Sequence, residues 1–427
     1  MERPDDDGRT SRSSQDCLDD NTPVTWQRPA YNDAMPLIVP PLSLYIHIPW
    51  CVKKCPYCDF NSHAQNGALP VDAYVDALLA DLDRDLRDFG GAIANRPLHS
   101  IFFGGGTPSL FAPDAIARIL DGVAARISLP RGIEVTLETN PGTVEHGRFD
   151  GYLKAGVSRL SFGVQSFDDD KLRRLGRIHS AADAERAMRN ARDAGYANFN
   201  LDLMYALPEQ TLDGALADIE RALILQPAHI SHYQLTLEPN TLFAARPPKL
   251  PDEDAVWDMQ EACQQRLADA GYAQYEVSAY ARDGLRSVHN LNYWMFGDYL
   301  GIGAGAHGKV SAADGRIVRT AKFKLPRSYL QHAARGDALG TLSEVAAADR
   351  PFEFVMNALR LNDGVPRATF AERTGMPRAM LDANLQAAQA RSWLEFDPER
   401  LVPTELGRRY LNDVIELFLP AGARAES

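Results

Sequence analysis

From residue 43 onward the chain alternates short apolar-rich runs with longer amphipathic ones. The runs SLYIHI (43–48), HSIFF (99–103), IEVTLE (133–138), VSRLSF (157–162), ANFNLDL (197–203) and HISHYQL (229–235) have strand length and are rich in β-branched and aromatic residues. Between them, VDAYVDALLADLDRDLRDF, APDAIARILDGVAARI, EHGRFDGYLKAG, AADAERAMRNARDAG and TLDGALADIERALIL repeat apolar residues at helical spacing. Strand then helix, about six times over, predicts a parallel sheet with helices packed outside it. The pattern alone does not say whether such a sheet closes fully, closes partly or stays open.

The pattern then changes twice. Residues 252 to about 335 mix a helix, the strand-like QYEVSAY and a glycine-rich stretch before GKVSAADGRIVRT, where Asp314-Gly315 reads as a hairpin turn. From 350 helices are joined by WLEFDPERLVPT, a β-hairpin pattern, and together they read as a winged-helix-like module. The expected divisions are a disordered tail over 1–38, a β/α region over 39–245, an α+β extension over 246–345 and the C-terminal module over 346–427.

The tail begins MERPDDDGRTSRSSQDCLDDN, with seven acidic and three basic side chains and almost nothing apolar, so it is neither a signal peptide nor a segment that packs. No apolar run reaches the roughly 18 residues that span a bilayer. The expected location is the cytoplasm, with any membrane contact peripheral at its inner face. A net charge of −12 over 427 residues argues against a nucleic-acid partner. Winged helices often bind DNA, but residues 365–417 hold seven Arg and no Lys against eight Asp and Glu, which favours a packing or protein-contact role.

Only five cysteines are present, too few for a disulfide framework in a chain of this size. Cys17 lies in the tail, and Cys263 shares a helical apolar stripe with Val256, Met259 and Leu267, a core position. The other three stand as Cys51-x3-Cys55-x2-Cys58 directly after the first strand, at the edge where parallel α/β proteins place their chemistry. A 4Fe-4S cluster normally takes four thiolates, so three leave one iron open to a small molecule. The competing reading is a zinc knuckle closed by His63 or Asp59.

The ends of the other strands carry groups suited to holding such a molecule. HSIFF runs into Gly104-Gly105-Gly106-Thr107, where missing side chains let the backbone approach a ligand. IEVTLE ends in Glu138, VSRLSF leads to Gln165, ANFNLDL carries Asp202 and HISHYQL is followed by Thr236. Singly each reads as a satisfied buried polar group; their common position is what points to a site.

Cys-x3-Cys-x2-Cys after the first strand of a βα repeat resembles the radical S-adenosylmethionine enzymes. In that family the methionine moiety of S-adenosylmethionine occupies the open iron, and the fold is a partial (β/α)6 barrel. SLYIHIPWC, FFGGGTPS, SFGVQSF, LDLMYALPEQT and HNLNYW further resemble the group that contains oxygen-independent coproporphyrinogen III oxidase and its haem-chaperone relatives of the HemW type. Carried over position by position, the resemblance implies that Tyr45, Tyr57, Gly105, Gly106, Thr107, Glu138, Gln165, Arg177, Asp202 and Thr236 contact S-adenosylmethionine.

Two features divide that group. Two residues after the third cluster cysteine the oxidase branch carries another cysteine, and here stands Phe60, whose apolar ring cannot replace a thiol. His289-Asn290-Leu291-Asn292-Tyr293-Trp294 matches the HNxxYW signature of the haem-chaperone branch. With that resemblance His289 offers an imidazole to haem iron, and Tyr293 and Trp294 offer flat faces to a macrocycle; on the residues alone the motif reads as a buried histidine at a helix start with aromatics in the core. The resemblance therefore implies haem binding and delivery to apo-haemoproteins, respiratory ones at the membrane face among them, with an electron-donor protein as partner and room for a homodimer. The alternative is the oxidase reaction on coproporphyrinogen III. Gly303-Ala304-Gly305-Ala306-His307-Gly308 spells GxGxxG, but a hairpin pattern and not a helix follows it, so it reads as a close-packed turn and not a dinucleotide site.

Overall fold

A computed structural model describes residues 37–142, 148–282, 284–312 and 314–420. The expected tail over 1–36, Cys17 and the start of the EHGRFDGYLKAG helix lie outside the described residues. The tail expectation fails at its last two positions. Leu37 is buried in a core cluster that also holds Phe354, Phe370 and Leu381, and the Ile38 N–H donates to the Glu372 carbonyl at 2.9 Å.

The strands and helices follow the alternation in the sequence. In chain order they are β1 (Leu42–Ile48), α1 (Val71–Asp88), β2 (Leu98–Gly105), α2 (Pro113–Ala124), β3 (Glu134–Thr139), α3 (Arg148–Ala155), β4 (Arg159–Gln165), α4 (Ala181–Asp193), β5 (Phe199–Tyr205), α5 (Leu212–Ile224) and β6 (His229–Gln234). There follow α6 (Glu253–Asp269), β7 (Ala273–Glu276), β8 (Ala279–Ala281), α7 (Val288–Trp294), β9 (Asp298–Ile302), β10 (His307–Ser311), β11 (Ile317–Lys322), α8 (Pro326–Ala333) and β12 (Leu339–Glu344). Helix starts carry the expected caps: Ser180 forms a capping box with Asp183, and Thr211 and Asp252 accept from the N–H groups of Gly214 and Ala255.

All these strands form one 12-stranded sheet in the order β12-β11-β10-β9-β1-β2-β3-β4-β5-β6-β8-β7. β1 to β6 are parallel neighbours, and β9 adds a further parallel strand on the other side of β1. The outer strands are antiparallel hairpins, and the edge strands β12 and β7 do not pair, so the sheet is an open, partial barrel. The Asp314-Gly315 turn joins β10 to β11 with Gly315 at φ 92°.

Period-two alternation gives this sheet two unlike faces. Leu44, Ile46, Ile48, Ile101, Phe103, Val135, Leu137, Leu160, Phe162, Leu201, Leu203 and Ile230 are all buried on the face the helices cover. Each such side chain contributes about 1.5–3 kcal/mol by leaving water. The alternate positions Tyr45, His47, Phe102, Glu138, Ser161, Asp202 and Tyr233 face inward, and there the sheet carries polar and aromatic groups instead of aliphatic ones.

Beyond 345 the helices Arg350–Ala358, Arg367–Thr374 and Ala379–Ala390 pack Phe354, Phe370, Leu381 and Leu385 into a core shared with Tyr275 and Phe296. The hairpin expected over 393–404 is present as a bridge between Leu394 and Pro403, extended by pairing of Arg400–Leu401 with Val365–Pro366.

Candidate functional site

β1 delivers the chain to the C-terminal edge of the sheet at Ile48. A two-residue parallel pairing of Trp50–Cys51 with His63–Ala64 then ties off the intervening loop. Inside it the Cys58 N–H donates to the Cys55 carbonyl at 3.2 Å. Cys51, Cys55 and Cys58 are free, half-buried and line one cavity of about 330 Å³.

Each sulfur lies beside a polar partner from another part of the site. Thr107 Oγ1 lies 3.6 Å from Cys51 Sγ, Arg177 Nη1 is 3.6 Å from Cys55 Sγ, and Ser62 Oγ is 3.7 Å from Cys58 Sγ. Asn140 links two of these donors, giving Nδ2–H to Thr107 Oγ1 at 2.8 Å and accepting from Arg177 Nη2. Burial pushes the Cys51 and Cys58 thiols up, and the Thr107 and Ser62 hydroxyls oppose it. A bound metal reverses that balance, since its charge favours thiolates.

The donor set fits a cluster better than a zinc ion. Among the described residues no three His, Cys, Asp or Glu side chains converge on a point that could hold one ion. Zinc needs four donors about 2.0–2.3 Å from a single centre. A cubane places each thiolate on a different iron, so its ligands surround a space. His63 is turned away to Asn61 Oδ1 at 3.3 Å and to the Lys324 carbonyl.

Nine of the ten residues expected at S-adenosylmethionine line this same cavity: Tyr57, Gly105, Gly106, Thr107, Glu138, Gln165, Arg177, Asp202 and Thr236. Glu138 and Asp202 are both half-buried on the cavity wall, and loss of water first and then their mutual repulsion push the Glu138 carboxyl up to about 8. Asp202 is also raised by burial, against donors from Asn200 and Ser161 at 2.7 and 3.3 Å. Gln165 is held at φ 72° by the bulge after Gly163, and its Oε1 accepts from Tyr233 at 2.8 Å. Thr236 is exposed at the rim and donates to Glu238 at 2.7 Å.

The glycines are there for a different reason from the one the sequence offered. A Cβ on Gly105 would lie 2.6 Å from the His47 ring, and one on Gly106 would lie 2.5 Å from the Trp50 carbonyl oxygen. Their missing side chains let β2 close on β1 and on the start of the cysteine loop; the Gly106 and Thr107 N–H groups bond the Ile48 and Trp50 carbonyls at 2.8 and 2.7 Å. The backbone faces the cavity as a consequence.

Tyr45 is the tenth expected residue, and it lines a second, adjoining cavity of about 640 Å³. The two cavities share Cys58, Asp59, Phe60, Ser62, Gly105 and Glu138 as a common wall. Phe60 is 59% exposed at their junction.

His289 does not fit the role of haem ligand. It is buried at 1% exposure, Nδ1 is 2.8 Å from Ser100 Oγ, Nε2 is 2.9 Å from Tyr293 OH, and the ring stacks on Phe102 at 5.0 Å. Burial lowers its pKa to about 3, so it is a neutral ring with both nitrogens used. The motif docks α7 on the sheet: Glu134 accepts from the Val288 and His289 N–H groups, and Asn292 Nδ2 donates to Ser43 Oγ at 3.0 Å and to the Asp298 carbonyl at 2.8 Å. Tyr293 faces the second cavity, whereas the Trp294 ring is covered by Arg360 at 4.3 Å. Sequence reasoning missed Asn140, Asn61 and Tyr233. Asn140 follows directly on the strand end at Glu138 and Thr139, which was its one available signal.

An open parallel sheet with three cysteines on the loop after its first strand, facing a pocket built from the ends of the next strands, defines a radical S-adenosylmethionine type of protein. A radical SAM superfamily model matches residues 45–222, and a HemN C-terminal domain model matches 345–410. The chain is 53% identical over 381 residues to the heme chaperone HemW of Haemophilus influenzae, covering 89% of this chain and 98% of that one. To HemW of Escherichia coli the identity is also 53%, over 89% and 99% of the two chains. To HemW of Bacillus subtilis it is 34%, over 88% and 99%. The chain belongs to the HemW family. The coproporphyrinogen III oxidase HemN of Escherichia coli, a radical SAM enzyme, shares the fold with a TM-score of 0.76 over 90% of this chain and 91% of its own, at 23% identity.

Proposed function

We propose that this protein binds haem and hands it to apo-haemoproteins, with a 4Fe-4S cluster on Cys51, Cys55 and Cys58 and S-adenosylmethionine in the smaller cavity. The likeness to HemW chains over nearly their whole length carries this reading. When bound, the cluster supplies a one-electron reductant and an iron with an open position.

The chain's own groups prepare that site. Thr107, Arg177 and Ser62 donate to the sulfurs and favour thiolates. Glu138, neutral at pH 7, is poised to hydrogen-bond ribose hydroxyls without bringing a second full charge beside Asp202. Phe60 stands at the cavity junction where the oxidase branch carries a cysteine, and that substitution favours the chaperone over the oxidase. Haem recipients at the membrane would be met peripherally; among the described residues no helix is long and apolar enough to cross a bilayer.

The test is anaerobic reconstitution, titration with hemin followed by Soret absorbance, and then addition of apomyoglobin as acceptor. Stoichiometric uptake followed by transfer is the expected result. Anaerobic conversion of coproporphyrinogen III to protoporphyrinogen, abolished by Cys58→Ala, would establish the oxidase reading instead.

A further inference from the structure

We infer that haem occupies the larger cavity, with His307 as an axial ligand to its iron and Lys54 and Lys324 facing its propionates. This rests on the haem-binding reading above and assigns the iron a ligand that the HNLNYW motif does not supply. At about 640 Å³ the cavity is nearly twice the size of the one beside the cysteines and falls in the range of about 300–1,000 Å³ usual for small-molecule sites.

The side chains of this cavity answer the parts of a haem one by one. Tyr45, Phe60, Tyr293 and Tyr299 supply aromatic surface for a flat macrocycle. Lys54 and Lys324, both exposed, supply cations for two carboxylates. Among the acids on the wall, Asp59 is exposed to solvent, and Glu138 is largely protonated at neutral pH.

The histidines of this cavity differ in whether their rings are free to bind iron. Three histidines line the cavity, and two are engaged. His47 is buried, with Nδ1 3.0 Å from Tyr45 OH and Nε2 2.9 Å from the Asn61 carbonyl. His63 is shared between Asn61 and the Lys324 carbonyl. His307 is exposed, and among the described residues no group hydrogen-bonds its ring. Partial burial and the neighbouring Lys324 and Arg319 charges hold its pKa below the usual value, which keeps a ring nitrogen unprotonated for a metal.

The GAGAHG turn is what presents this side chain. It runs from β9 into β10, and its glycines are packing positions: a Cβ on Gly303 would meet the His47 carbonyl oxygen at 2.3 Å, and one on Gly305 would meet Asn61 Nδ2 at 2.2 Å. Asn61 Nδ2 in turn donates to the Ala304 and Lys324 carbonyls, each at 2.9 Å. One asparagine, three residues past Cys58, thus clamps the turn and the Lys324 backbone to the cysteine loop. His307 stands at the end of a rigid mount that is contiguous with the proposed cluster site.

The test uses the full-length, cluster-reconstituted protein titrated anaerobically with hemin, with His307→Ala, His307→Met and His289→Ala beside wild type. The expected result is an imidazole-ligated Soret and visible spectrum in wild type. His307→Ala should lose that signature and at least tenfold in affinity, recover the signature on addition of free imidazole, and keep the wild-type circular dichroism. His307→Met should show a changed ligand band. Unchanged affinity and spectrum in His307→Ala, or loss of the imidazole signature only in His289→Ala, would overturn this assignment while leaving haem binding intact. A wild-type chain that takes up no hemin would overturn the haem reading and this site together.

Discussion

Replacing Lys322 by Met tests whether the mount of the GAGAHG turn is held electrostatically. Lys322 on β11 reaches Asp81 at 2.5 Å and Asp85 at 2.6 Å on α1, and all three side chains are at most 3% exposed. Asp81 also accepts from the Gly303 N–H at 3.1 Å and from Tyr329 OH at 2.9 Å, so the same carboxylate holds the start of the turn. One cation faces two carboxyls, and burial pushes Asp85 up to about 7. Removing the cation leaves charge buried without a partner, which costs about 3–5 kcal/mol. At roughly 2.1 cal/mol/K per residue the unfolding entropy of a fold this size is roughly 0.8 kcal/mol/K, so thermal unfolding of the apoprotein should fall by about 5 °C. The pH dependence follows from the direction of the Asp85 shift. A carboxyl raised above its unfolded value of about 4 stabilises the fold fully below that value, and the contribution is lost as pH rises through the folded one. Without Lys322 the folded value rises further, so the deficit of Lys322→Met should widen between pH 7 and 9. Calorimetry of wild type and variant at pH 6, 7.5 and 9 reads this directly. A shift under 1 °C at every pH, or a deficit largest at pH 6, would refute the reasoning.

Four further outcomes are expected. Glu138→Gln should match wild type in stability near pH 5 and exceed it by a few kcal/mol above pH 8, because the acid's folded value of about 8 makes its stability contribution fade as pH rises and the amide has no proton to lose; thermal melts across that range measure it, and equal melts at pH 9 would count against it. Gly106→Ala should lower cluster content, since its Cβ meets Trp50 backbone that a rotamer change cannot move, and overpacking of this kind costs about 1–3 kcal/mol; iron and sulfide analysis after anaerobic purification decides. Arg177→Met should weaken cluster retention more than Lys53→Met does, because Arg177 is a donor to Cys55 and bonds the Gly163 carbonyl at 2.6 Å. Gly305→Ala combines a φ of 77°, about 1–2 kcal/mol for a side chain, with displacement of Asn61, and should depress hemin affinity along with the melting temperature.

The sheet and the grouping of three thiols were legible because each depends on local pattern. A run such as IEVTLE followed by a helical stretch needs no distant information to be read as strand and helix, and β3 and its neighbours lie where those runs do. Three thiols within eight residues must be near one another whatever the rest of the chain does. The residues at the ends of different strands were legible one step removed, since parallel order brings Glu138, Gln165 and Asp202 to one edge even though nothing near any one of them says so. What the sequence hid was the function of side chains whose partners are far away in the chain. His289, a ligand only by family resemblance and a buried core histidine on its own residues, has both nitrogens occupied by Ser100, 189 positions earlier, and Tyr293. His307 looks like part of a turn until Asn61, Lys324 and Tyr299 are brought around it. The proposed exchange of roles between the two histidines has a single physical reason. An imidazole serves as an iron ligand only where the fold leaves a nitrogen without a hydrogen-bond partner and open to a space of the right size, and that condition is set by tertiary contacts that neither HNLNYW nor GAGAHG spells out.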